Sequence, residues 1–171
     1  MRALITVAAM VGLAGCTWPG ADPSSVTAVA ETVQVTSVSD GDTFTAVTAD
    51  GERVRIRLLG IDAPETARDG QPAECGAKQA ADELRSLIAG RSVTVTSDPV
   101  GDEVDRFGRR LAYVTVDGRD VALALTHAGM AEAWYPASAP EPTRYGDYRK
   151  AERTARAANT GLWATCATVG R

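Results

Sequence analysis

The sequence predicts an α+β fold: a five-stranded OB-type β-barrel with three α-helices. Two observations carry that expectation. Apolar residues recur with period two in five segments and with helical spacing in three others. Their order is three strands, a helix, two strands and two helices, and a helix between the third and fourth of five strands suits an OB-type barrel. With 171 residues, 44% of them hydrophobic, one domain with a real core is expected. No internal repeat or second domain is visible.

Residues 1–16 stand outside that domain. Met1-Arg2 is a short basic start, Ala3 to Leu13 is an apolar run, and Leu13-Ala14-Gly15-Cys16 follows. The run is too short to span a bilayer and fits the apolar part of a secretory signal. Leu-Ala-Gly-Cys resembles a bacterial lipobox, in which Cys16 takes the lipid and becomes the new N-terminus. A signal cleaved elsewhere and a buried N-terminal helix are the alternatives. Residues 17–31, rich in Pro, Ala, Ser and Thr, read as a flexible tether. The domain is placed at 32–166, with 167–171 as a tail.

Within the domain, strands are expected at Val33–Val38, Thr43–Thr48, Arg53–Leu59, Ser92–Ser97 and Leu111–Val116. In the third, Arg53, Arg55 and Arg57 should project from one face and Val54, Ile56 and Leu58 from the other. Ala77, Ala80, Ala81, Leu84 and Ile88 mark a first helix ended by Gly90. Val121, Ala124, Leu125 and Ala128 mark a second, stopped by Gly129. Tyr148, Ala151, Ala155 and Ala158 mark a third, with Gly161 as its stop.

Charge restricts the function classes. The chain carries 18 basic and 22 acidic side chains, net −4, and loss of Arg2 with the leader would make it −5. It lacks the global positive field of a strong non-specific nucleic-acid binder. A cleavage enzyme needs only a local positive site. Cys75 and Cys166 remain once Cys16 is assigned to lipid. An even pair in an exported chain suggests a disulfide, two free thiols being the alternative. Cysteine metal ligation is disfavoured: there is no paired C-x-x-C, and the single histidine, His127, sits on a helix without a partner motif and reads as structural.

Three stretches carry chemistry. Asp40-Gly41-Asp42-Thr43 joins the first two strands, where Asp-Gly alone is an ordinary hairpin signal. Leu59-Gly60-Ile61-Asp62-Ala63-Pro64-Glu65-Thr66 follows the arginine-bearing strand. An arginine there can fork onto phosphate, one acid can hold a hard cation and another can handle a water. Asp105-Arg106-Phe107-Gly108-Arg109-Arg110 puts a basic turn ahead of the last strand. In this order, with Gly161-Leu162-Trp163 closing the set, they resemble the staphylococcal (micrococcal) nuclease family, the thermonucleases. That family carries D-G-D-T, R-L-x-G-I-D-A-P-E and D-x-(F/Y)-G-R-x-L-A-Y-V segments. The resemblance runs from about Val33 to Trp163 and implies the same OB-type fold.

The resemblance also implies roles. Asp42 and Asp62 match the carboxylate ligands of Ca²⁺, and Ala63 matches the position supplying a carbonyl ligand, where the family's usual Thr is replaced. Asp40 and Thr43 match supporting residues behind them. Glu65 matches the residue that activates or positions the attacking water. Arg57 and Arg109 match two phosphate clamps, for which the planar guanidinium suits better than lysine. Phe107 stands where Tyr is frequent and keeps the ring but not the hydroxyl. Tyr135 matches a base-stacking aromatic, or is an ordinary one. Arg106 and Arg110 either steer substrate or solvate the turn.

Two functions follow as expectations. The first is an exported, Ca²⁺-dependent endonuclease, a phosphodiesterase of DNA and RNA with little sequence preference that leaves 3′-phosphates. It would be monomeric and held by the Cys16 lipid on the extracytoplasmic side of a bacterial membrane. The second is a non-catalytic OB-type lipoprotein that captures nucleic acid. Retention of Asp42, Arg57, Asp62, Glu65 and Arg109 together favours the first.

Overall fold

A computed structural model describes residues 29–68 and 70–170. The Cys16 lipobox, the leader and most of the tether lie outside the described residues. Five strands close into a barrel: β1 (Ala30–Val38), β2 (Thr43–Val47), β3 (Arg53–Leu58), β5 (Ser92–Thr96) and β6 (Arg110–Val116). A two-residue β4 (Ile61–Asp62) and helix α1 (Ala77–Ile88) separate the third of these from the fourth. After β6 come β7 (Arg119–Asp120), α2 (Val121–His127), β8 (Glu132–Ala133), α3 (Tyr145–Ala157) and a 3-10 turn at Gly161–Ala164. The barrel order is β3-β2-β1-β5-β6, with β6 pairing back onto β3. That closing pair is parallel (Ile56↔Arg110, Arg57↔Leu111, Leu58↔Ala112), and the other barrel pairs are antiparallel.

The elements match the expected ones closely, with differences at their ends. β1 starts at Ala30, so Ala30 and Glu31, assigned to the tether, pair with Thr96 and Val95. The tail also contributes: Val169 is buried in the core. β5 alternates throughout and β1 as far as Val35, beyond which a register shift leaves Thr36 and Ser37 both exposed; Val33, Val35, Val93 and Val95 point inward. α1 lays Ala77, Ala80, Ala81, Leu84 and Ile88 against the barrel, the five residues that its spacing marked.

The other two helices depart slightly from their patterns. α2 buries Val121, Ala122, Leu125 and Thr126, and the Asp120 carboxylate caps it by accepting from the Leu123 N–H. α3 begins at Tyr145 and buries Tyr148, Ala151 and Ala155, while Ala158 is exposed. Its left-handed stop is Asn159 (φ 50°), not Gly161: the Thr160 N–H returns to the Ala155 carbonyl and the Asn159 N–H to that of Arg156. Gly161 serves a close approach instead, since a Cβ there would stand 2.2 Å from the Ala128 carbonyl oxygen. Cys75 and Cys166 are joined by a disulfide that spans 91 residues and ties the start of α1 to the C-terminal turn.

Candidate active site

The site forms where β3 ends. Arg53 and Arg55 are exposed as the alternation predicts, but Arg57, on the same side, is only 6% exposed. The chain reverses at Leu59-Gly60 and folds β4 back over it. β4 is held by β8 through Ile61↔Ala133 and Asp62↔Glu132. The covered guanidinium is held through both of its Nη atoms. Nη1 donates to the carbonyls of Ile61 (2.9 Å) and Leu58 (3.3 Å) and lies 2.7 Å from Asp42 Oδ2, while Nη2 lies 2.5 Å from Asp62 Oδ1. Two buried carboxylates thus flank one buried arginine, the arrangement under which buried charge is tolerable.

Asp42 has further partners. Its Oδ2 accepts from the Ala63 N–H at 2.8 Å and its Oδ1 from the Thr43 hydroxyl at 3.0 Å. Burial pushes the Asp42 carboxyl up to about 7, with Asp40 and Asp62 adding to the rise and Arg57 and the Ala63 N–H opposing it. The Asp-Gly pair is more than a hairpin signal. A Cβ on Gly41 would lie 2.6 Å from the Cβ atoms of both Ala63 and Ala80, so glycine lets the acidic turn press between β4 and α1.

Arg109 enters from the turn before β6. Asp105 organises that turn: its Oδ1 accepts from the N–H groups of Phe107 and Arg109, and its Oδ2 takes Arg109 Nε at 2.7 Å. Burial opposes ionisation of Asp105, yet these hydrogen bonds hold its carboxyl below the usual range. Arg109 Nη1 then reaches Thr43 Oγ1 at 3.3 Å. Phe107 is 60% exposed, with the guanidinium carbons of Arg106 and Arg109 at 4.7 and 5.3 Å from its ring centroid. Arg110 points elsewhere and pairs with Glu31.

Glu65 lies beyond Pro64 in the same loop. Its N–H donates to Glu74 Oε2 at 2.9 Å, its carbonyl accepts from the Glu74 N–H, and its carboxylate pairs with Arg68. Arg57, Arg106, Phe107, Arg109 and Tyr135 line one open groove of about 640 Å³. Tyr135 packs edge-on against Tyr145 at 4.7 Å and donates to Glu141. His127 is exposed on the last turn of α2.

The segment 55–165 matches the family model described as staphylococcal nuclease homologue. The chain belongs to this family. It is 33% identical to an uncharacterized protein of Bacillus anthracis over 135 residues, 78% of this chain and 62% of that protein. It is 34% identical to the thermonuclease of Staphylococcus hyicus over 103 residues, 60% of this chain and 59% of that one. A prophage-derived endonuclease of Bacillus subtilis is 34% identical over 126 residues, 72% of this chain and 41% of its own length. The chain thus spans between about two fifths and three fifths of these relatives.

Glu74 and Arg68 escaped the sequence reading, and Asp105, the first residue of the third motif, was given no role there. An acid two residues before Phe107 and four before Arg109 carries an Asx-turn signal that could have identified Asp105. Glu74 and Arg68 carry no such local signal.

Among the described residues, no group of three or more His, Cys, Asp or Glu side chains is clustered to hold a metal ion. The hard oxygens gathered here are the carboxylates of Asp42 and Asp62, which share the Arg57 guanidinium. Asp40, on the same acidic turn, keeps its Oδ1 buried with no hydrogen-bond partner while Oδ2 pairs with Arg68.

Proposed function

We propose that this protein is an exported, lipid-anchored, Ca²⁺-dependent nuclease that hydrolyses phosphodiester bonds of DNA and RNA and leaves 3′-phosphates. One observation carries the reading: the buried Asp42–Arg57–Asp62 cluster opens, through Arg57, into the groove that Arg109, Phe107 and Tyr135 also line. Fixed positive charge beside hard oxygens is what a phosphodiester transition state needs, because negative charge builds on its phosphoryl oxygens.

Each residue then has a task. Asp42, Asp62 and the Ala63 carbonyl would hold Ca²⁺, which supplies Lewis-acid stabilisation of the phosphoryl charge. Thr43 supports Asp42 by a hydrogen bond, and Asp40 adds negative charge beside it. Arg57 offers a donor whose position is set by two carbonyls and two acids before substrate arrives, so little reorganisation is required. Arg109, gripped along one edge by Asp105, keeps Nη1 directed at Thr43 and the site. Glu65 orients the attacking water and accepts its proton or hands it on. Phe107 and Tyr135 offer π-faces to unpaired bases, and stacking is indifferent to base identity. Arg106 adds charge at the rim.

The export reading rests on residues 1–16 and places the enzyme outside the cytoplasm, anchored through Cys16, where the Cys75–Cys166 bridge persists. The deciding assay incubates the full chain with circular DNA, single-stranded DNA and RNA, with Ca²⁺ or with chelator. Nicking of the circle, loss of activity in chelator and ends that a polymerase extends only after phosphatase treatment are expected. Binding of all three substrates with no cleavage under any divalent cation would overturn the reading and leave a binding lipoprotein.

A further inference from the structure

Arg68 belongs to none of the motifs, yet it joins two of them. Its Nη2 lies 3.1 Å from Asp40 Oδ2 and pairs with the Glu65 carboxylate as well. Asp40 is buried, and its other oxygen has no hydrogen-bond partner, so Arg68 grips this carboxylate from one side only. The Glu65 side chain is 38% exposed. One guanidinium nitrogen therefore ties the exposed acid of one motif to the buried acid of another.

The loop is built to keep Arg68 there. Glu65 and Glu74 form its base: the Glu65 N–H donates to the Glu74 carboxylate and the Glu74 N–H to the Glu65 carbonyl. Arg68 and Gln71 form its tip through a reciprocal backbone pair of 3.3 and 2.8 Å. Cys75, directly after the base, is bridged to Cys166. The backbone at both ends of the loop is thus set independently of Arg68. What Arg68 adds is the orientation of one side chain with three rotatable bonds, which would otherwise sample many rotamers.

We infer that Arg68 is a positioning residue for the hydrolysis proposed above, on which this inference rests: it clamps the Glu65 carboxylate beside the acidic end of the barrel. It acts through Glu65 and does not touch the reacting atoms. The Arg68–Glu65 pair is half-exposed and contributes little to folding, whereas the Arg68–Asp40 pair ends on a buried carboxylate. Misplacing a group that handles the nucleophile is expensive in rate.

The test is steady-state cleavage of a single-stranded oligonucleotide by the full chain. The variants are Arg68→Ala, Arg68→Lys, Glu65→Gln and the double variant Arg68→Ala/Glu65→Gln. Arg68→Ala should lower kcat about 10-fold or more, in the range seen when supporting partners of site ligands are removed. KM should stay where it is, while the thermal midpoint should fall in Arg68→Ala, which strips buried Asp40 of this partner, and fall equally in the double variant. Lysine should restore most of kcat, since its charge still reaches both acids. In the Glu65→Gln background Arg68→Ala should cost nothing further in kcat, because the group through which it acts is gone. Wild-type kcat in Arg68→Ala, an equal loss of kcat in both backgrounds, or a rise in KM alone would each overturn the inference. Cleavage by the wild type with Arg68→Ala unimpaired sinks the inference alone. An inactive wild type removes the nuclease reading and this inference with it.

Discussion

Arg109 is held along its Nε edge by Asp105 and touches Thr43 with Nη1, so its charge is aimed before substrate binds. Lysine keeps the charge and loses the fork that grips two oxygens. Arg109→Lys should therefore lower the cleavage rate roughly 100-fold, about 3 kcal/mol, by analogy with a lost oxyanion donor. Glu65→Gln should cost as much or more. Oligonucleotide binding in Ca²⁺ should survive in both, and circular dichroism should report an unchanged fold. Wild-type rates in both variants would place the chemistry elsewhere. Asp42 gives a second residue-scale prediction. Its carboxyl lies at about 7 in the folded chain against 3.8 as a free group. Between these values the folded state keeps a proton that the unfolded state has lost, so this group makes stability fall as pH rises from about 4 to about 7. Urea unfolding in chelator should show that fall in the wild type and a shallower one in Asp42→Asn. Ca²⁺ should flatten it, because a dication favours the ionised carboxylate. Equal slopes in the two proteins would mean that Asp42 is already ionised at the acid end.

At the scale of elements, the acidic turn, β4 and α1 work as one packed unit. Gly41 presses between Ala63 and Ala80, with no room for a methyl group. Gly41→Ala should cost roughly 1–3 kcal/mol by overpacking. It should also depress cleavage, since relief of the clash must move either the turn bearing Asp42 or the strand bearing Asp62. A shift in the denaturation midpoint of less than a few tenths of a kcal/mol would show that the turn yields freely. The Cys75–Cys166 bridge bears on the same unit, since Cys75 follows the base of the Glu65 loop and precedes α1. The chain-entropy model assigns roughly 4–5 kcal/mol to closing a loop of this length. Cys75→Ser/Cys166→Ser should lose most of that in urea unfolding, and its cleavage should be less tolerant of warming than that of the wild type. Unchanged unfolding would show that the unfolded chain already holds these segments together.

The whole molecule is acidic, net −4, and of its 18 basic side chains Arg57, Arg106 and Arg109 line the groove where substrate would lie. Such a protein should bind nucleic acid weakly and with a shallow salt dependence, because few phosphates are neutralised. Lipid attachment would place it instead. Wild-type protein should partition with membranes and Cys16→Ser should not, since stable anchoring needs more than one acyl chain, as lipoprotein processing supplies. A mature protein free in the medium that begins well after Cys16 would refute the anchor.

The barrel was legible because periodicity is a local property: Val33, Val35, Val93 and Val95 alternate inward for the same reason whatever surrounds them. The expected strands were right to within a few residues for that reason, and α1 was right face for face. The site was legible through three motifs, each local in sequence. Asp40 and Arg68 are 28 residues apart, and Arg68 and Glu74 look like ordinary surface charges. Only the folded chain brings these together. Arg57 marks the division most clearly. Its sequence parity groups it with Arg53 and Arg55, and by pattern alone all three are solvated. Closure of β3 onto β6 and the return of β4 under β8 bury the third, and a buried guanidinium must find carbonyls and carboxylates. The order of strands and helices was determined by the sequence alone; which arginine became the buried partner of Asp42 and Asp62 was decided by tertiary structure, because burial depends on what covers a residue and not on its neighbours in the chain.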